Sequence, residues 1–205
     1  MVLPTPFTTT SPQIASYDFT DVAEGTGIQK FFLVGAEIST GADNILTENA
    51  IYSRSIHFGA VGAGTPKHDL DFDLSPFHLA KDMEGTGYVN IAIGARNNSD
   101  TGTIFVVAKI RKWDGTSETE IATATSETTT ITQSADFNYM VSMPITIPYQ
   151  HFEAGEILRV TVQITTTDAT LYSSIGFDPI NRSYTITGGG AATLSASSVY
   201  IPFKI

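Results

Sequence analysis

The stretch His68-Asp69-Leu70-Asp71-Phe72-Asp73-Leu74 alternates strictly between acidic and apolar side chains after its first residue. A period of two belongs to a strand, because successive side chains leave a pleated backbone on opposite faces. Leu70, Phe72 and Leu74 are therefore expected on a core, and Asp69, Asp71 and Asp73 in solvent. The same beat returns with Val89, Ile91 and Ile93 in residues 88–95, and with Leu158, Val160, Val162 and Ile164 in residues 157–167. Phe31, Phe32, Leu33 and Val34 lie in a run over residues 28–40 that reads as a strand buried on both sides.

Further strands are expected over residues 16–22, 50–59, 103–113, 171–177 and 199–205. Residues 118–132, rich in Thr, read as an exposed edge strand or long hairpin. Pro144 and Pro148 demote residues 139–148 to an edge or bulge position, since proline gives a ladder no N–H. The one candidate helical turn covers residues 76–83. Composition agrees: the chain has 29 Thr against 9 Leu, which suits pleated surfaces better than a helical core. About ten to twelve short strands with Gly, Asn and Asp turns point to an all-β antiparallel sandwich of jelly-roll type. At 205 residues this is read as one domain over residues 16–205, preceded by an extended arm over residues 1–15. Pro4, Pro6 and Pro12 bar helix from the arm, and its Val2, Leu3 and Phe7 have no local partner.

Charge and chemistry narrow the function by exclusion. The net charge of −10 is spread along the chain, and direct nucleic-acid binding wants a basic patch instead. The opening residues have no positive segment ahead of a long apolar run, so no signal peptide is expected there. No run approaches a membrane span, and no membrane partner is expected. With zero Cys there is no disulfide framework, thiolate metal site or cysteine nucleophile.

Three carboxylates on one strand face invite a calcium reading of Asp69, Asp71 and Asp73. Alternate residues stand about 7 Å apart, however, so a solvated strand face is the simpler account and no metal is expected. His57, His68, His78 and His151 fall in separate segments with no zinc-ligand spacing. No Gly-x-Ser-x-Gly elbow occurs, and Gly188-Gly189-Gly190 lacks the Lys of a phosphate loop and reads as a hairpin tip. Neither catalytic nor cofactor-binding residues are assigned. Trp113, Tyr139, Tyr149, Tyr172, Tyr184 and Tyr200 offer an alternative, a sugar-stacking platform. Against it, Trp113 beside Asp114-Gly115 reads as the anchor of a hairpin end.

The C-terminal third carries a more specific pattern. Tyr149-Gln150-His151-Phe152-Glu153-Ala154-Gly155-Glu156-Ile157-Leu158-Arg159-Val160-Thr161-Val162 feeds a turn into a strand. Ala169-Thr170-Leu171-Tyr172 and Phe177-Asp178-Pro179-Ile180-Asn181-Arg182 follow, with Ser173-Ser174-Ile175-Gly176 lengthening the interval between them. This pattern resembles jelly-roll head decoration (cement) proteins of tailed-phage virions. The resemblance implies a non-enzymatic structural protein, assembled in the host cytoplasm onto the capsid surface. Its implied partners are the major capsid protein and two further copies of itself in a homotrimer. The expected contact residues are Val2, Leu3 and Phe7 of the arm, with Tyr200, Ile201 and Phe203 near the C-terminus. A carbohydrate- or receptor-binding module of a phage tail or fibre is the alternative, and a hydrolase with a β-sandwich core ranks last.

Overall fold

The computed structural model describes residues 26–38, 41–49, 56–58, 63–97, 101–132, 136–176, 183–185, 191–193 and 196–204. The expected arm, with Val2, Leu3 and Phe7, lies outside them. The described strands are β1 (Thr26–Ile38), β2 (Gly41–Thr47), β3 (Ile56–Phe58), β4 (Gly64–Asp73), β5 (Lys81–Asn97), β6 (Gly102–Trp113) and β7 (Glu118–Thr125). They continue with β8 (Thr129–Ile131), β9 (Asp136–Phe152), β10 (Ile157–Thr166), β11 (Leu171–Gly176), β12 (Ser183–Thr185), β13 (Ala191–Thr193) and β14 (Ser198–Lys204). No helix occurs among the described residues. The chain is all-β, as its periodicity requires.

Twelve strands form one sheet: ten follow the path β3-β11-β5-β14-β1-β2-β4-β10-β6-β7, while off it β9 pairs with β5 and β8 with β6. Every ladder is antiparallel except the single β2–β4 pairing at Ile45 and Asp73. β1 makes the turn from one half to the other. Its residues 26–32 pair with β14, and its residues 32–38 pair with β2. One core unites the two halves, drawing Phe31 and Leu33 from β1, Phe72 from β4, Ile91 and Ile93 from β5, Ile110 from β6, Val160 and Val162 from β10 and Val199 from β14. A buried hydrogen bond spans the halves directly, from His68 Nε2 on β4 to Ser173 Oγ on β11 at 2.9 Å.

The expected core residues Phe72, Val89, Ile91, Val160 and Val162 are all fully buried. Leu70 is only half-buried. It packs against the core from its margin.

The prolines of β9 are expected at an edge or bulge, and among the described residues the strand's ladder is with β5 alone. Pro148 falls where the β5–β9 register shifts, between Met83 and Gly85. The helical turn expected over residues 76–83 is a correction. β5 begins at Lys81, and Phe77 exchanges backbone bonds with the β9–β10 turn, Phe77 N–H to Glu156 O at 3.0 Å and Gly155 N–H to Phe77 O at 2.8 Å. Those long-range bonds take the groups that a helical turn would have used. β12 and β13 pair antiparallel, Tyr184 opposite Ala192; the hairpin tip expected at Gly188-Gly189-Gly190 lies outside the described residues.

Candidate interaction surfaces

Each aspartate of β4 meets a partner directly across on β10. The register sets Asp73 against Arg159, Asp71 against Thr161 and Asp69 against Gln163. Arg159 forms a two-pronged pair with Asp73, Nε to Oδ1 at 2.6 Å and Nη2 to Oδ2 at 2.8 Å. Thr161 Oγ1 donates to Asp71 at 2.5 Å, and Gln163 Nε2 to Asp69 at 3.2 Å. The network runs on to β7, with Arg159 Nη1 at 3.3 Å from Glu118 and Arg111 Nη1 at 2.8 Å from the same carboxylate. The hydrogen bonds to Asp73 push the Arg159 guanidinium further above its ordinary value. Such half-exposed pairs contribute up to about 1 kcal/mol each. The carboxylates thus turn to separate partners on β10, and among the described residues no three metal-ligating side chains converge.

The aromatic residues of the sugar-platform reading are dispersed. Trp113 ends β6 with the Arg159 guanidinium 5.1 Å over its ring, and Tyr149 lies on β9 with Lys204 Nζ 5.1 Å over its ring. Tyr139 is packed against the core and Tyr172 is on β11, while the side chain of Tyr184 lies outside the described set. Trp113 does close a hairpin. Asp114 accepts Ser117 N–H at 2.7 Å, Ser117 Oγ at 2.7 Å and Thr116 N–H at 2.8 Å. These bonds, those of Ser117 foremost, hold the Asp114 carboxyl at about 2, and Gly115 takes φ +93°.

A different aromatic surface emerges on the outer face of β1, β14, β5 and β9. Registers place Lys30 beside Tyr200, Tyr200 beside Tyr88, and Tyr88 beside Pro144. The row crosses four strands, roughly 14 Å at ordinary strand spacing. Tyr88 is 48% exposed and Met140, four residues from Pro144 on the same face of β9, is 41% exposed. Lys30 Nζ lies 4.5 Å from the Phe32 ring centroid and 5.5 Å from that of Tyr200. Of the expected C-terminal contacts only Tyr200 belongs here. Ile201 and Phe203 point the other way into the core, and Phe203 packs edge-on against Phe31 at 6.3 Å and Phe77 at 6.1 Å. Phe203 is accordingly corrected from a contact residue to a core residue. Phe32 and Tyr88 were missed in the sequence because their place on one face depends on which strands become neighbours.

The histidines remain apart. His68 is bound to Ser173 but buried, at 6% and 3% exposure, so this serine and base act as a polar tie between the halves. His78 is exposed in the β4–β5 connection, and the side chain of His57 is outside the described set. His151 Nδ1 lies 2.5 Å from Asp82 Oδ1, and Tyr149 Oη donates to the same oxygen at 3.2 Å. The hydrogen bond from His151 depresses the Asp82 carboxyl and, reciprocally, raises the His151 imidazole.

No protein-family model matches the chain, and no curated protein matches it. Solved structures do share its fold. A CocE/NonD family hydrolase from Staphylococcus aureus aligns with TM-score 0.57 at 14% identity, over 88% of this chain and 37% of the hydrolase. An aminopeptidase from a marine sediment archaeon (Thaumarchaeota archaeon) gives 0.54 at 9% identity, over 86% and 36%. An α-amino acid ester hydrolase gives 0.53 at 11% identity, over 85% and 36%. The chain therefore spans little more than a third of each. At these identities the likeness is one of fold.

Proposed function

We propose that this chain is a non-enzymatic virion structural protein, a jelly-roll decoration protein that binds the major capsid protein as a homotrimer and reinforces the capsid surface. The observation that carries the reading is the row of half-buried Tyr200 with exposed Tyr88 and Pro144, extended by half-buried Phe32 and exposed Met140 on the same face. Tyrosine rings on a rigid sheet supply large contact area at little entropic cost, and interface centres are enriched in them. The resemblance of residues 149–182 to phage decoration proteins names the capsid as the partner.

The test is co-sedimentation of the purified chain with capsid shells that lack it. The wild type is expected to travel with the shells, and Tyr88→Ala to bind about 30-fold more weakly, the size of a 2 kcal/mol hot spot. Deleting residues 1–11 is expected to weaken capsid binding or trimer formation while leaving the melting temperature nearly unchanged, since Val2, Leu3 and Phe7 are assigned to a neighbour. Failure of the wild type to bind any shell overturns the capsid reading. Undiminished binding by Tyr88→Ala removes this face from it.

One observation favours a second reading, a carbohydrate- or receptor-binding module of a tail or fibre. The exposed Tyr88 is flanked by Asn90 paired with Ser142 and Thr86 paired with Thr146, neutral donors and acceptors beside a ring. A reproducible glycan-array signal abolished by Tyr88→Ala, without capsid binding, selects this alternative.

A further inference from the structure

At the end of the β5–β9–β14 face, the His151 imidazole lies between two carboxylates. Its Nδ1 is 2.5 Å from Asp82 Oδ1 and its Nε2 is 3.4 Å from Glu153 Oε1. A neutral imidazole has one N–H, which Asp82 takes, whereas an imidazolium donates to Asp82 and also attracts Glu153 as an ion pair. We infer that His151 is a proton-operated latch, holding the turn between β9 and β10 closed when charged and releasing Glu153 when neutral.

The two sides of the latch are unequal. Asp82 is fixed on β5 and also accepts from Tyr149 Oη at 3.2 Å, while Lys204 on β14 pairs with neighbouring Glu84 at 2.5 Å. Glu153 is 70% exposed and opens the turn, so it is the partner that leaves. Its N–H donates to Glu156 Oε2 at 2.8 Å, and Gly155 turns the backbone at φ +94°. Across the sandwich, Lys112 on β6 reaches Glu156 at 2.8 Å and the His151 carbonyl at 3.1 Å. This turn also holds the 74–80 connection through Phe77. Loosening Glu153 therefore acts on the point where one half of the sandwich passes into the other. The charged groups facing His151 are thus Asp82 and Glu153, which favour its protonated form, and Lys112, which opposes it.

The direction with pH follows from the sign of the shift. The folded imidazole titrates above its ordinary value, with the Asp82 hydrogen bond the largest cause. The latch is therefore fully engaged below about pH 6.5, the unfolded value, and is lost as pH rises through the higher folded one. The inference does not depend on the capsid reading and is tested on the isolated chain.

The experiment pairs an NMR titration of the His151 ring with amide exchange at residues 153–156, corrected for intrinsic rates, between about pH 5.5 and 8.5. The midpoint is expected above that of a histidine in an unstructured peptide. It should fall in Glu153→Gln and fall further in Asp82→Asn. Protection of the turn should drop as pH rises in the wild type, and become independent of pH in His151→Gln. The latch is overturned by a midpoint at or below the peptide's, by one unmoved in Glu153→Gln, or by turn protection that is flat with pH.

Discussion

Truncating Phe72 to alanine is expected to lower the unfolding free energy by about 3–5 kcal/mol, the cost of emptying a fully buried aromatic site. Phe72 is 0% exposed and lies opposite Val160 in the β4–β10 register, near the middle of the acidic-apolar alternation. β4 is held on one side by β10 and on the other by little more than the Asp73 rung, so collapse around the void would have to draw on that ladder. Equilibrium denaturation measures the loss, and for a domain of this size it corresponds to roughly 10 °C in melting temperature. Asp69→Ala, three rungs from Phe72 on the exposed face, is expected within about 0.5 kcal/mol of wild type. A loss near zero at Phe72 would mean that the faces of β4 are reversed.

Replacing Gly87 with alanine is the second large effect, and its cause is space alone. A Cβ on Gly87 would meet the Tyr200 carbonyl oxygen at 2.4 Å, with Pro202 Cδ at 3.3 Å and Ile145 Cγ2 at 3.5 Å behind it. The nearest atom is backbone, so relief requires β14 to move off β5. Over-packing of this kind costs about 1–3 kcal/mol, and more where a ladder is displaced. Gly115→Ala makes a useful contrast: nothing lies within 4 Å, but φ is +93°, so it pays only left-handed strain of about 1–2 kcal/mol. Hydrogen exchange separates the two, because only Gly87→Ala should expose the amides of β14. It should also disorder the Tyr200–Tyr88 row, linking loss of packing to loss of partner binding.

The all-β fold was legible wherever one strand face is wet and the other dry. Asp69, Asp71 and Asp73 against Phe72, and Leu158 and Val160 on β10, needed no information from elsewhere in the chain. β2 was missed because Gly41–Thr47 offers only the adjacent pair Ile45 and Leu46, which carries no period. The extent of β5 was hidden by Gly85 and Gly87, which punctuate the sequence like a turn. In space they are a bulge at φ +126° and a close approach to β14. Grouping Tyr200 with Ile201 and Phe203 overlooked alternation, since Val199, Ile201 and Phe203 share one face and Tyr200 takes the other. Partnerships formed by folding left no local signal at all. Arg159 and Asp73 are 86 residues apart, and His68 and Ser173 are 105 apart.

The pairing of β1 with β14 has a mechanical consequence. Thr26 stands opposite Lys204, and the rungs continue inward through Ile28 with Pro202 and Lys30 with Tyr200. Tension drawing Thr26 away from Lys204 falls on the outermost rung first and opens the ladder one rung at a time, as a zipper opens. The hydrogen-bonded pairs yield in turn, at a net strength of about 1 kcal/mol per bond, and Pro202 donates none. Tension along the strands, from Thr26 on β1 toward the Ser198 end of β14, would load all the rungs together in shear. The sandwich is therefore weak against forces that part these two strand ends and strong against forces along them. A tether at these strand ends would hold best when its pull runs parallel to β1.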